Sequence, residues 1–169
     1  MSTRTLHSVD EYLGTSYRPD RDFVDGEVVE RNVGERDHGR IQKALLLYFA
    51  AREQQSGIEC LPEQRVQISP SRFRVPDVCV VVGRAPKPVL TEPPFLCIEI
   101  LSPEDRWPRM QQRINDYLTM GVPHVWVIDP AERRAYEITN AGTREVRQVL
   151  RTVNPTFEVS LDEIFASLD

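Results

Sequence analysis

The fold turns on two short stretches, "RVPDVCVVV" (74–82) and "PFLCIEIL" (94–101). Each is an apolar run bounded by proline, the pattern of a central strand covered on both faces. Each also carries one acid: Asp77 directly after Pro76, and Glu99 between two isoleucines. A buried carboxylate is costly unless a partner, a metal or a hydrogen-bond network compensates it. If the two strands pair, both acids reach one end of the sheet. Two close carboxylates in a poor dielectric repel, and one takes a proton unless a cation intervenes. Mg²⁺, a hard ion held by one or two carboxylates, is the expected remedy. The competing readings are a structural salt bridge to an arginine for Glu99 and a turn-forming role for Asp77.

After the second of these runs, "SPEDRWPRMQQRINDYLTMG" reads as a helix. Ile114, Tyr117 and Leu118 set its apolar face and Gly121 its end. Ser102 and Asp105 resemble its cap, although Pro108 can delay its start. "HVWVIDP" follows as another buried strand, so residues 95–129 form a strand–helix–strand crossover, expected to be parallel and right-handed. Upstream, Ser8 and Glu11 make a capping box and Asp25-Gly26 a hairpin turn. "DHGRIQKALLLYFAAREQQSG" reads as one helix closed by Gly57, and "ECLPEQRVQIS" as a partly alternating strand segment. Downstream, "RRAYEIT" and "REVRQVL" suggest a polar-faced hairpin, and "LDEIFASLD" a closing helix. The order predicts an α/β fold with a mixed central sheet flanked by helices. We expect one domain over residues 1–169, with a core at about 20–130 and a C-terminal hairpin and helix at about 131–169.

The chain has 169 residues, a net charge of −5 and a pI of about 5.3. That sign does not favour a protein coated in nucleic acid, but all except two of its 21 basic residues are arginines, whose forks suit phosphates and carboxylates alike. Three cysteines match no zinc spacing. Cys79 and Cys97 read as small buried hydrophobes, which points to a reducing compartment. "MSTRTLHSVDEYL" has no apolar core of a secretory signal, and no apolar run approaches the ~20 residues of a membrane span. A cytoplasmic protein without membrane association is expected. Ser102 has no Gly-x-Ser-x-Gly elbow and is not a nucleophile. Asp129 reads as a turn former, and Trp107 and Trp126 as core or interface residues.

The ordered set "VPDVCVVV", "IEILSPEDR" and "RINDYLTMGVPHVWVIDP", with "DGEVVE", "DHGRIQ" and "LDEIF" around it, resembles the Uma-two family, a branch of the PD-(D/E)XK nuclease superfamily. The resemblance implies a restriction-endonuclease-like core, Mg²⁺ or Mn²⁺, and hydrolysis of DNA phosphodiester bonds. It also implies a homodimer, since cutting both strands needs two sites. By position, Asp77 resembles the metal aspartate and Glu99 its acidic partner, with the Ile100 carbonyl as a third ligand. The superfamily's lysine two residues after the Glu is Leu101 here. In this branch it looks displaced onto the following helix, where this chain has Arg113. An arginine supplies charge to a phosphate but stays protonated and cannot act as a base.

Glu27 and His38 fall where the family has its "GE" and early-helix His. Pointing inward, Glu27 adds a third carboxylate or holds a metal-bound water; pointing outward, it is an ordinary strand residue. His38 binds phosphate or orients a water, or simply lies at the surface. Arg72, Arg74, Arg106 and Arg109 flank the acidic strands and are expected to hold the DNA backbone. A competing function is a nuclease fold that has lost catalysis and binds nucleic acid or regulates, which the acidic pI and Arg113 favour. Cleavage of RNA or of another phosphodiester is a third.

Overall fold

The computed structural model describes residues 4–32 and 34–169. It opens with α1 (Val9–Leu13), where Ser8 Oγ accepts the Glu11 N–H and the Glu11 carboxylate accepts the Ser8 N–H, closing the capping box. β1 (Asp22–Val24) and β2 (Glu27–Val29) form a hairpin across Asp25 and Gly26, both at positive φ. That turn matches the twist of paired strands. The stretch read as one helix is two, α2 (Arg36–Ala50) and α3 (Glu53–Ser56), with Gly57 at φ 64° ending the second. β3 (Ile58–Pro62), β4 (Val66–Ser69), β5 (Arg72–Arg74), β6 (Val78–Val82) and β7 (Leu96–Ile100) follow. Then come α4 (Trp107–Met120), β8 (His124–Asp129), β9 (Arg134–Thr139) and β10 (Gly142–Val146). β11 (Val149–Arg151), β12 (Glu158–Ser160) and α5 (Leu161–Ala166) close the chain.

Six strands form the central sheet, in the order β10-β9-β8-β7-β6-β3. Only β7 and β8 pair in parallel, joined by α4; the other neighbours are antiparallel, so the sheet is mixed. Alternation along β7 explains its unbroken apolarity. Leu96, Ile98 and Ile100 pack with α2 residues Ile41, Leu45 and Phe49, whereas Cys97 packs with α4 residues Met110, Ile114 and Tyr117. The sheet is thus covered on both faces, which is why a two-residue polar alternation is missing from the central strands. Cys79 and Cys97 face each other across β6 and β7 as buried, free thiols.

A smaller sheet, in the order β2-β1-β5-β4, stands beside the central one. It divides the stretch "RVPDVCVVV" between two sheets. β5 ends at Arg74 and β6 begins at Val78, with Val75, Pro76 and Asp77 between them. Proline lacks a ladder N–H and restricts the residue before it, so the run bends here. Asp77 consequently sits at the mouth of β6. Likewise Ser102 does not cap α4. Asp105 Oδ2 accepts the Ser102 N–H at 2.6 Å, and the helix starts at Trp107 with Pro108 in its first turn, where no N–H is needed. Among the described residues, no helix is long and apolar enough to cross a membrane.

Candidate active site

Val78 of β6 pairs with Ile98 of β7, so one further step of the register sets Asp77 opposite Glu99. Residues directly opposite in an antiparallel pair project to the same face. Alternation puts Glu99 on the face of Cys97, under α4. The acids therefore converge, as the two apolar runs predict.

Glu99 is fully buried. Its Oε1 accepts the Tyr117 hydroxyl at 2.5 Å and lies 3.1 Å from Arg113 Nη2. Its Oε2 is buried with no hydrogen-bond partner among the described residues. Arg113 reaches in from α4, donates from Nη2 to the Val75 carbonyl at 2.9 Å, and has Nε 3.4 Å from Asp22 Oδ2. Its side chain is only 12% exposed and points toward the two acids, not into solvent. Asp77 Oδ2 accepts the Ile100 N–H at 2.7 Å. Asp77 Oδ1 accepts from Arg31 Nη2 at 2.5 Å, with His38 Nε2 3.2 Å away. The peptide of Asp77 is pinned as well, its carbonyl accepting from Gln42 Nε2 and the Glu63 N–H.

The electrostatics separate the two acids. Burial pushes the Asp77 carboxyl up, but the His38 hydrogen bond and the charge of Arg31 outweigh it and hold the group below its ordinary value. Burial pushes Glu99 up too; Arg113 opposes this, the nearby Asp77 charge adds to it, and the group ends above its ordinary value. Tyr117 is held well above the usual phenol range by burial and by the Glu99 charge. Two carboxylates in one buried place with different proton affinities are a common property of catalytic sites.

The donor set fits a hard divalent ion in one respect and resists it in another. Two carboxylates converge, and Glu99 Oε2 is a buried carboxylate oxygen without a hydrogen-bond partner among the described residues. Yet each acid also has its own guanidinium, Arg31 on Asp77 and Arg113 on Glu99. This is the salt-bridge arrangement that the sequence set against a metal. Among the described residues, no three His, Cys, Asp or Glu side chains gather as a metal-binding group. Ile100 turns its N–H to the site. Asp77 and Glu99 are the side chains that would hold such an ion.

Other site residues are placed less centrally. His38 enters the cluster from the first turn of α2, through Asp77. Glu27 does not join the two acids. Its side chain is 38% exposed and accepts from Arg4 Nη1 at 2.7 Å on the rim of a cleft of about 190 Å³ between the β1–β2 hairpin and α4. Arg31, Arg109, Gln112 and Arg113 line the same cleft. Arg74, expected on the DNA backbone, is buried and bound to Asp22 and Asp116, and Arg72 is bound to Asp25 and Asp116. Neither is free for a phosphate. Arg106 and Arg109 are exposed and form no ion pair among the described residues. Asp129 accepts the Glu132 N–H, the turn role read for it; Trp126 is in the core, whereas Trp107 is half exposed. Sequence reasoning missed Arg31, 46 positions from Asp77, and the hydroxyl role of Tyr117, which its place on an apolar helix face conceals.

A similar arrangement of elements is known. The chain superposes on the crystal structure of "a putative nuclease belonging to DUF820 from Anabaena variabilis ATCC 29413" with a TM-score of 0.84, covering 96% of this chain and 99% of that one. At 20% identity the match shows a shared fold. No curated protein matches the chain. A family model described as "Putative restriction endonuclease" matches residues 10–168, a span that takes in both acidic strands, α4 and the closing helix. With that span and this fold together, the chain belongs to the Uma2 family.

Proposed function

We propose that the protein hydrolyses DNA phosphodiester bonds, using Mg²⁺ or Mn²⁺ held by Asp77 and Glu99 with the Ile100 carbonyl as a third ligand. The observation that carries this reading is the cross-strand convergence of two buried acids of which one, Glu99, keeps an oxygen with no partner. When bound, such an ion polarises a phosphate and lowers the pKa of a water. The protein's own groups do the rest. Tyr117 and Arg113 fix Glu99 through Oε1 and leave Oε2 free. His38 and the Ile100 N–H fix Asp77. Arg113, lining the cleft, stabilises negative charge added at the phosphate, and it does so without exchanging a proton. Arg109, exposed on the same rim, holds the neighbouring backbone. Cutting both strands calls for two copies of the site, hence a two-fold dimer.

A second reading is favoured by one observation: each acid is already neutralised by an arginine. On that reading the domain keeps the nuclease fold without the reaction. Plasmid DNA incubated with Mg²⁺, Mn²⁺ or EDTA separates the two. Cleavage with metal that stops in EDTA and in Asp77→Ala is expected. Cleavage surviving either change rules out the metal site, and intact plasmid under every condition supports the second reading. Linear product ahead of nicked circle would mark the dimer.

A further inference from the structure

Five buried side-chain polar atoms lack a hydrogen-bond partner among the described residues, and four of them lie in this one cluster: Arg31 Nε, Arg31 Nη1, Arg113 Nε and Glu99 Oε2. Native interiors tolerate few such atoms, and each calls for an explanation. Arg31 is the outlier. Its side chain is only 7% exposed, yet of its three nitrogens only Nη2 makes a hydrogen bond, the one to Asp77. The next carboxylate, that of Glu63, is 3.9 Å from Nη1. Buried Arg74 shows the contrast: Nε and Nη2 both lie 2.7 Å from Asp116 Oδ2, and Nη1 lies 3.0 Å from Asp22. Arg31 thus holds Asp77 strongly through one atom and is otherwise poorly accommodated where it lies.

Resting on the metal reading above, we propose that Arg31 is a displaceable counter-cation, which occupies Asp77 Oδ1 in the metal-free protein and excludes a divalent ion until it swings away. The exchange is favourable on both sides. Glu99 Oε2, the unpartnered acceptor, would gain a partner in an ion held by the two acids. The released guanidinium turns into the cleft it already lines, where its Nε and Nη1 donors meet water or a backbone phosphate. The ion is expected to bind more weakly than two buried carboxylates would otherwise allow, because it competes with a tethered cation. Asp77 is kept ionised in the meantime, and bound DNA, by offering Arg31 another partner, favours loading of the metal.

The test is direct Mn²⁺ binding to the metal-stripped full chain, read by electron paramagnetic resonance without substrate. Arg31→Met and Arg31→Gln are expected to bind Mn²⁺ about tenfold more tightly than the native chain, as when a competitor holds the site closed some nine-tenths of the time. Adding Asp77→Asn is expected to remove the gain. Unchanged or weaker binding in folded Arg31 variants overturns the latch, and if the native chain then still cleaves DNA with metal, the proposed function stands. No Mn²⁺ binding in any form overturns both. A second measurement needs no variant. The Arg31 guanidinium signal in the native chain, shielded from solvent exchange at rest, is expected to lose that protection as Mg²⁺ saturates; protection that persists at saturation overturns the latch.

Discussion

Two arginine–carboxylate networks lie side by side under α4, and they are built to different standards. In the first, Arg74 is clasped between Asp22 and Asp116, Asp116 also binds Arg72, and the second oxygen of Asp22 accepts the Val75 N–H. No atom of Asp22, Arg74 or Asp116 is left buried without a partner. In the second, Arg31–Asp77 and Arg113–Glu99, four atoms are left over. Arg113 touches both, its Nε lying 3.4 Å from Asp22. A fully satisfied buried network fixes geometry, while a partly satisfied one stores unfavourable free energy that a ligand can release. The first network braces the small sheet against α4, and the second is the candidate site.

The largest expected effect tests the first half of that contrast. Arg74→Met removes the buried guanidinium that Asp22 and Asp116 share, leaving Asp22 the Val75 N–H and Asp116 the more exposed Arg72, and is expected to destabilise the fold by ~3 kcal/mol. Arg31→Met removes one hydrogen bond and two unsatisfied donors, and Asp77 keeps His38 and the Ile100 N–H, so the loss is expected to stay within about 1–2 kcal/mol. Urea denaturation followed by circular dichroism reads both. Equal losses would break the distinction between brace and site.

Glu99→Gln keeps an acceptor for Tyr117 and Arg113 but removes the charge. Stability is expected to change by less than ~1 kcal/mol and plasmid cleavage to fall by about 100-fold or more, because an anionic ligand proposed for the ion is lost while its packing remains. Cleavage unaffected by this change would make Glu99 a structural acid like Asp22.

How legible was this contrast in the sequence? The convergence of the acids was, because a carboxylate inside an apolar strand needs an explanation and the two runs are long enough to show their neighbours' burial. The parallel β7–α4–β8 unit was legible for the same reason, and Gly121 marked its turn. Contacts set by tertiary packing were not. Nothing around Arg31 distinguishes it from Arg36 or Arg40, since its role depends on Asp77, distant in sequence and adjacent only once β6 has joined the sheet. Arg74 stood beside the acidic strand and so resembled a phosphate ligand; its true partners, Asp22 and Asp116, come from another strand and another helix. Glu27 was ambiguous because a hairpin strand with both faces half buried gives no alternation to read.

Arg113 is where the two networks meet, and replacing it by lysine gives the smallest but sharpest expected effect. The guanidinium reaches the Val75 carbonyl and Glu99 from Nη2 and approaches Asp22 from Nε. An ammonium is a single point on a shorter reach, so it can hold Glu99 or Val75 but cannot extend to Asp22 as well. Arg113→Lys is therefore expected to lower cleavage by roughly tenfold, with a stability loss of about 1 kcal/mol from the contact to Val75. The outcome can go against this. A lysine that raises activity would mean that the arginine's broad reach ties the site to the brace at the expense of the reaction, since a lysine is free to release Glu99 and to lose a proton. In that case the boundary between the two networks runs through Arg113 itself, and its Asp22 arm belongs to the brace.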